Sequence, residues 1–568
     1  MSSFKNKTGI VLSALKAGRI WILLMIIGAG TMSFADYYFN ISKNLDVFAS
    51  LYKEVNTFYV DDVEPSKLMR TCIDGMLKTL DPYTNYYSES QIENARIQQG
   101  GKFGGLGIDI EIINGYPVIT SVTEGQPADK NGLKVGDVIK GIDGNPTEKR
   151  TKEEINKILI GEPKTKVTLQ IERKSSLFDT KQQSFLIQRE EIQETNVPFY
   201  GMVTPEVGLI KLKIFNEHAG RDVKQAFDSL KRTTPDMKGI ILDLRGNPGG
   251  LLTEAVNIVN IFVDKNQLVV TTKGKVDEWN NSFKTLDEPS DNKIHLVIIA
   301  NSSSASASEI VSGTIQDYDR GVIIGQRTYG KGLVQITRNL SYNTMLKVTT
   351  AKYYIPTGRC IQAILYAERN PDGSVKHVPD SAKVAFKTIN KGRTVYDGGG
   401  IDPDLLLPKP EQSKLVDALV AQNFIFDFAT NYTLLHSSID DAAKFRLTDK
   451  DFDDFIAFVK SKNLNYKTES EEKLDALKDA STEEKYFDAL KEQYETIKKK
   501  IAHDKEEDMV KSKKEILTQL ENEIAGRYYY AYGRVKKGNQ NDSEVAKAIE
   551  IIGNNDEYNQ LLSASAKK

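Results

Sequence analysis

The chain has 568 residues, enough at roughly 150 per domain for three or four folding units, and its 40% hydrophobic and 27% charged residues are ordinary for globular proteins. That composition excludes a mainly disordered, collagen-like or polytopic membrane chain. Lys plus Arg total 76 against 78 Asp plus Glu, a net charge of −2, so no global basic field exists to hold a nucleic-acid backbone.

Lys5, Lys7, Lys16 and Arg19 precede the apolar run that starts at Ile20 and reaches Ala35. A basic stretch followed by an apolar run and small residues is the pattern of an export signal. The run falls short of the roughly 20 residues that span a bilayer comfortably. Cleaved signal and retained anchor both fit, and the lack of a clear Ala-x-Ala site before Asp36 favours the anchor. Two cysteines, Cys72 and Cys360, are too few for a disulfide scaffold and lack metal-ligand spacing, so unpaired thiols are expected.

Residues 36–95 read as short amphipathic helices, with Val47, Leu51 and Val55 at helical spacing and Asp81-Pro82 as a breaker. A glycine cluster, 100–107, leads into alternating strands around Ile108, Ile110 and Ile112, then Val118, Ile119 and Val122. Turn signals at Asn114-Gly115, Asn131-Gly132 and Asp143-Gly144 mark a small β-rich module closing near Arg189. From Val207 to about Leu407 apolar runs of strand length alternate with helical segments, which predicts an α/β core. After Pro410 the chain turns charged and helical, with Phe452, Phe455, Ile456 and Val459 on one face. Phe487, Leu490, Tyr494, Ile497 and Ile501 form another, and Ser481 to Glu484 reads as a capping box ahead of that helix. The expected fold class is multidomain: a mixed α/β core with a β-rich module before it, a helical N-terminal region and an all-α C-terminal domain.

Four local features could carry chemistry. The serine-rich run Asn301 to Val311 sits between a buried strand and a helix, where helix N–H groups can stabilise negative charge. A loop that merely caps the helix would look the same, and spacing does not choose among Ser304, Ser306 and Ser308. Asp243-Leu244-Arg245-Gly246-Asn247-Pro248-Gly249-Gly250 is a strand followed by a tight glycine loop. It suits an oxyanion hole, a phosphate site or a plain structural turn. Gly325 to Gly332 nearly matches a P-loop, but Gly332 replaces the hydroxyl residue and Leu333 to Ile336 continues as a strand, which excludes nucleotide binding. Lys331, flanked by glycines, could instead be buried and its pKa lowered, making it usable as a base. The five histidines lack metal-binding spacing, and His295 lies in a probable core strand. A serine nucleophile here would need a base other than histidine, and lysine is the known variant.

Together these residues resemble the C-terminal processing peptidases, the tail-specific protease family of Ser–Lys endopeptidases. The blocks that carry the resemblance are Ser304 to Ile310, Gln316-Asp317, Gly325 with Thr328 to Gly332, Val334-Gln335, Tyr353 to Arg359, Gly400 to Asp404 and Asp243 to Gly250. The resemblance implies Ser306 as nucleophile, Lys331 as general base and Gln335 as the residue orienting it. It also implies an oxyanion hole from Gly249, Gly250 and Ala307, and a structural role for Asp317. Residues 96–190 look like a PDZ domain whose loop Gly104-Gly105-Leu106-Gly107-Ile108 binds a peptide's terminal carboxylate, the next strand pairing with the peptide. Ile160 and Lys164 stand where many members have arginine and glycine, so regulation through that arginine does not carry over.

The resemblance spans about residues 40–407 and leaves the tail uncovered. It implies an endopeptidase that captures the C-termini of protein substrates and cleaves upstream, without cofactor or metal and without nucleic acid. With the N-terminal segment it implies export to a bacterial periplasm, that segment being a candidate inner-membrane tether. A homo-oligomer or an adaptor partner stays open. The rival reading is a non-catalytic PDZ peptide-binding protein on a protease-like fold.

Overall fold

In the computed structural model of the chain, residues 38–563 are described except 90, 93–101, 371, 410–411, 463 and 506. The expected export segment, 1–35, lies outside the described residues, as do Gly100 and Gly101. The chain divides into two compact units, Met1–Pro82 and Tyr83–Lys568. In the first, a helix over 38–58 is followed by α1 (Pro65–Lys78), whose proline takes the first turn, where a missing N–H costs nothing. Val47 and Leu51 of the expected apolar face are exposed. The helical reading of 36–95 is interrupted after Lys78 by a strand, β1 (Asn85–Tyr87), and helix returns at Glu89.

The β-rich module runs through β2 (Lys102–Gly105), β3 (Ile108–Ile113), β4 (Tyr116–Val122), α2 (Pro127–Lys130), β5 (Val138–Ile142), β6 (Asn145–Pro146), α3 (Lys152–Leu159), β7 (Lys166–Lys174), β8 (Thr180–Gln188) and β9 (Glu190–Gln193). Asn114 and Gly115 both take positive φ, the geometry a two-residue hairpin requires, and they join β3 to β4. The sheet runs β3-β4-β5-β7-β8 with β6 on β5, so β3 is an end strand. Its core holds Ile110, Ile119, Ile139, Ile155 and Val167. Thr151 and Glu154 cap α3 reciprocally, each side chain bonding the other's N–H.

The α/β core follows with β10 (Phe199–Met202), β11 (Val207–Lys211), α4 (Ala219–Thr233), β12 (Gly239–Asp243), α5 (Leu252–Val259), β13 (Leu268–Gly274), β14 (Asn281–Lys284), β15 (His295–Ala300), α6 (Ala307–Asp317), β16 (Val322–Gly325), β17 (Leu333–Leu340), β18 (Thr344–Tyr354) and β19 (Leu405–Leu406). The main sheet has the order β10-β11-β12-β15-β16-β19, parallel except at β10. Alternate residues face opposite sides. Ile240, Leu242, Leu296, Ile298 and Ile323 meet α4, α5 and α6, while Ile241, Val297, Ile299, Val322 and Ile324 face the other way. A second sheet, β1-β18-β13-β14 with β17 also on β18, stands beside it.

The tail comprises α7 (Lys414–Ala421), α8 (Phe424–Leu435), α9 (Asp449–Ser461), α10 (Glu469–Glu483), α11 (Phe487–Lys505), α12 (Lys513–Gly538), α13 (Ser543–Gly553) and α14 (Asn555–Leu561). Leu415, Phe424, Phe452, Phe455, Ile516 and Ile524 form one bundle core. The expected capping box at Ser481 is corrected: Ser481 lies in the last turn of α10, with its hydroxyl donated to Leu477 O at 2.7 Å. Thr468 and Glu471 cap α10 instead. The tail is all-helical, as expected, and its last two helices also join the α/β core. Val545, Ala548, Ile551, Ile552, Tyr558 and Leu562 cover the second face of the main sheet.

Candidate active site

Both catalytic loops of the resemblance leave the C-terminal ends of neighbouring parallel strands, β12 and β15, where open α/β sheets hold their ligands. Two hydrogen bonds join these loops to each other, and a third ties the first of them to Leu212 after β11. Ala305 N–H donates to Asn247 O (3.0 Å), Gly246 N–H to Asn301 Oδ1 (3.1 Å) and Asn247 Nδ2 to Leu212 O (2.9 Å).

Hydrogen bonding separates the three serines that spacing could not. Ser304 Oγ donates to Leu244 O (2.8 Å) and Ser308 Oγ to Asn247 O (3.0 Å), and both residues are fully buried. Ser306 is partly buried and takes φ 56°, ψ −112° at the N-cap of α6, a conformation costing a non-glycine residue about 1–3 kcal/mol. Gly249 runs directly beneath it. A β-carbon there would lie 2.6 Å from Ala305 O and 2.8 Å from both Ala307 N and Ser306 Cβ, so only glycine fits.

The oxyanion assignment needs one correction. Gly249 N–H is donated to Asn247 Oδ1 at 2.9 Å, so in this conformation that group is already used. Gly249 O accepts from Phe215 N–H, and Phe215 O accepts from Leu251 N–H. Among the described residues the N–H groups of Gly250, which is exposed, and of Ala307, at the first turn of α6, have no acceptor.

A residue quoted in the Ser304–Ile310 block but given no role there joins the backbones of Ser306 and Lys331. Glu309 is fully buried, and its Oε2 accepts the N–H groups of Ser306 (2.8 Å) and Lys331 (2.9 Å). Its Oε1 accepts Gly330 N–H (2.7 Å) and the Thr328 hydroxyl (2.6 Å). Burial pushes the carboxyl up, and these four donors pull against that rise. The signal was the Ser-x-x-Glu spacing of a capping box. Tyr353, also fully buried, adds a second clamp, its hydroxyl lying 3.1 Å from Ser306 O and 2.7 Å from Lys331 O.

Lys331 is partly buried. Its Nζ lies 4.3 Å from the centroid of the Tyr83 ring. Gln335, on β17 at a bulge, donates Nε2 to Thr349 Oγ1 (3.1 Å). Asp317 is buried against Arg359 at 2.7 Å and Thr357, a structural ion pair. His295, half-buried, stacks on Tyr558 at 4.1 Å. Asp243 is buried between Lys211 (2.9 Å) and Arg245 (2.9 Å), and Arg245 reaches on to Asp542 (2.8 Å) and Glu544 (2.7 Å) of the tail. Burial alone would raise the Asp243 carboxyl, but these cations hold it well below the usual carboxylate range. Cys72 and Cys360 are free thiols. Among the described residues no group of three or more His, Cys, Asp or Glu is placed to hold a metal.

The module's loop is equally specific. Gly104 O, Leu106 O and Gly107 O accept the N–H groups of Gly161, Ala128 and Thr123, each at 2.9 Å, and Gly107 has φ 77°. Ile108 then opens β3, the end strand, with α3 alongside.

Family models match this chain in three places: "Peptidase family S41" over residues 206–372, "PDZ domain" over 104–184 and "Probable PDZ-protease, C-terminal helical domain" over 415–552. A "Probable CtpA-like serine protease" of Staphylococcus aureus (strain COL) is 36% identical over 322 residues, which is 56% of this chain and 63% of the relative. The match thus spans just under two thirds of that relative's length. A "Carboxy-terminal-processing protease" of Bartonella bacilliformis is 35% identical over 327 residues, covering 57% of this chain and 74% of the relative. Among solved structures, the "Photosystem II D1 C-terminal processing protease" aligns over 63% of this chain and 92% of its own, at TM-score 0.34 and 24% identity. On the sequence identity shared along most of the Bartonella relative, this chain belongs to peptidase family S41.

Proposed function

We propose that the chain is a serine endopeptidase that cleaves proteins held by their C-termini. The observation that carries the reading is the singling out of Ser306: its two neighbours are buried and bonded, while Ser306 is presented on a strained turn above Gly249. Glu309 supports Lys331 as its partner by holding both backbones. In the step proposed, neutral Lys331 takes the Ser306 proton as Oγ attacks the scissile carbonyl. The oxyanion is met by N–H groups of Gly250 and Ala307. The lysine returns the proton to the leaving amine, and water, deprotonated by the same lysine, clears the acyl-enzyme. Gln335 would orient Lys331. The PDZ loop Gly104–Ile108 would take the substrate's terminal carboxylate, with β3 pairing to the peptide. The basic and apolar N-terminus supports export to a periplasm with a membrane tether.

The test is incubation with an unfolded protein ending in apolar residues, beside Ser306→Ala and Lys331→Ala, with fragments read by mass spectrometry. Both variants should lose cleavage by at least about a thousandfold while still binding a C-terminal peptide. Peptide binding by the parent chain with no cleavage under any condition would leave a binding protein in place of a peptidase.

A further inference from the structure

We infer that Tyr83 is a positioning residue for Lys331, an assignment that rests on the reading of Lys331 as general base. The ring of Tyr83 lies under the lysine Nζ, 4.3 Å from centroid to nitrogen. That ring is itself fixed. Tyr366 donates its hydroxyl to Tyr83 Oη at 3.1 Å, and the two rings meet edge to face with centroids 5.8 Å apart. Tyr329, two residues before Lys331, adds to the electrostatic effect on the same hydroxyl. Burial and these two tyrosines push the Tyr83 phenol well above its ordinary value, so it acts on the lysine as a neutral ring face.

The next residues extend the support to Gln335. Thr84 Oγ1 accepts Thr349 N–H at 3.3 Å, and Thr349 Oγ1 accepts from Gln335 Nε2 at 3.1 Å. Asn85–Tyr87 then pair with Lys347–Met345 of β18, whose opposite edge carries β17 and Gln335. Tyr83 therefore braces the base directly and Thr84 its orienting glutamine through one threonine, while residues 85–87 pin this segment to β18. Physically, an aromatic face attracts an ammonium and favours it over the amine, and it confines a flexible four-carbon stem that would otherwise sample many rotamers. Tyr83 thus sets where the amine rests before it turns to Ser306.

The test compares Tyr83→Phe, which keeps the ring, with Tyr83→Leu, which keeps an apolar neighbour without one, beside Lys331→Ala in the full chain. Tyr83→Leu should lower kcat about tenfold with KM within about twofold, because the reacting amine loses its placement. Its acid limb of kcat/KM should move down by about half a pH unit, since the protonated form loses its ring partner. Tyr83→Phe should keep the parent's limb and kcat to within about threefold. A Tyr83→Leu enzyme with parental kcat and limb overturns the inference. So does an equal loss in both variants accompanied by a lowered thermal midpoint, which would mark Tyr83 as packing only. If Lys331→Ala retains activity, the base assignment itself falls and this inference with it. That outcome is distinct from an inactive Lys331→Ala beside an indifferent Tyr83→Leu.

Discussion

Asp243 sits buried between Lys211 and Arg245, and its ionisation has a measurable consequence. Its folded pKa is depressed, so the stability it contributes is complete above the unfolded carboxylate value of about 3.9 and drains away as pH falls through the folded value. Asp243→Asn should cost about 1.5–3 kcal/mol at pH 7, since its charged hydrogen bonds are lost while Arg245 keeps Asp542 and Glu544. The gap between parent and variant, followed by urea unfolding at stepped pH, should hold down to about pH 4 and narrow only below it. A gap that closes already near pH 6 would mean another group carries the effect. The same local scale explains what was hidden in the chain. Ser304, Ser306 and Ser308 are equivalent by spacing, and only their acceptors, Leu244 O and Asn247 O for the outer two, tell them apart. Those acceptors lie some sixty positions away, beyond any local pattern. Tyr83 and Tyr353 stayed silent for the same reason. Glu309 was visible as a capping spacing but not as a bridge to Gly330 and Lys331, which requires the loop after β16 to fold back.

At the level of elements, strands were legible where one period ruled. The alternation of Ile241 against Ile240 and Leu242 is the two-residue repeat of a sheet covered on both sides, and it reads in sequence as a continuous apolar run. Helix ends were harder. Ser481 and Glu484 satisfied the capping pattern, yet Ser481 ends a helix, because Lys485 takes φ 65° and stops it there. The assignment of α13 and α14 was hardest, since an amphipathic helix shows that it buries a face but not which surface receives it. Ile551 is fully buried against the main sheet. Ile551→Ala should therefore destabilise the α/β core by about 2–5 kcal/mol, measured as the loss of core amide protection in hydrogen exchange. An effect confined to α7–α9 would contradict the packing.

Across the whole molecule, the PDZ module is tied to the helical tail. The helical run of α12 breaks at Tyr530 (φ 53°), and the Tyr530 hydroxyl donates to Asp129 Oδ1 at 2.7 Å. Lys174 reaches Asn431 at 2.9 Å, and a cavity of about 700 Å³ lies between the two, lined by Gly136, Arg173, Thr430 and Tyr530. Tyr530→Phe should weaken that docking by about 1 kcal/mol, seen as faster amide exchange over residues 127–137 with the core unchanged. Equal exchange in both proteins would show that the hydroxyl holds nothing. The module order was readable from composition shifts and glycine turns, whereas the contacts between modules rest on single residues without a sequence signature.

The covering of the main sheet by Val545 to Leu562 also orders events in time. Those residues leave the ribosome after Ser306, Lys331 and every strand of the sheet. Until they arrive, one apolar face of the sheet is bare, and Arg245, at the head of the Gly249–Gly250 loop, lacks Asp542 and Glu544. A nascent chain therefore carries Ser306 and Lys331 before it can cover the second face of the main sheet. Synthesis itself delays that assembly until residues 542–562 have been made.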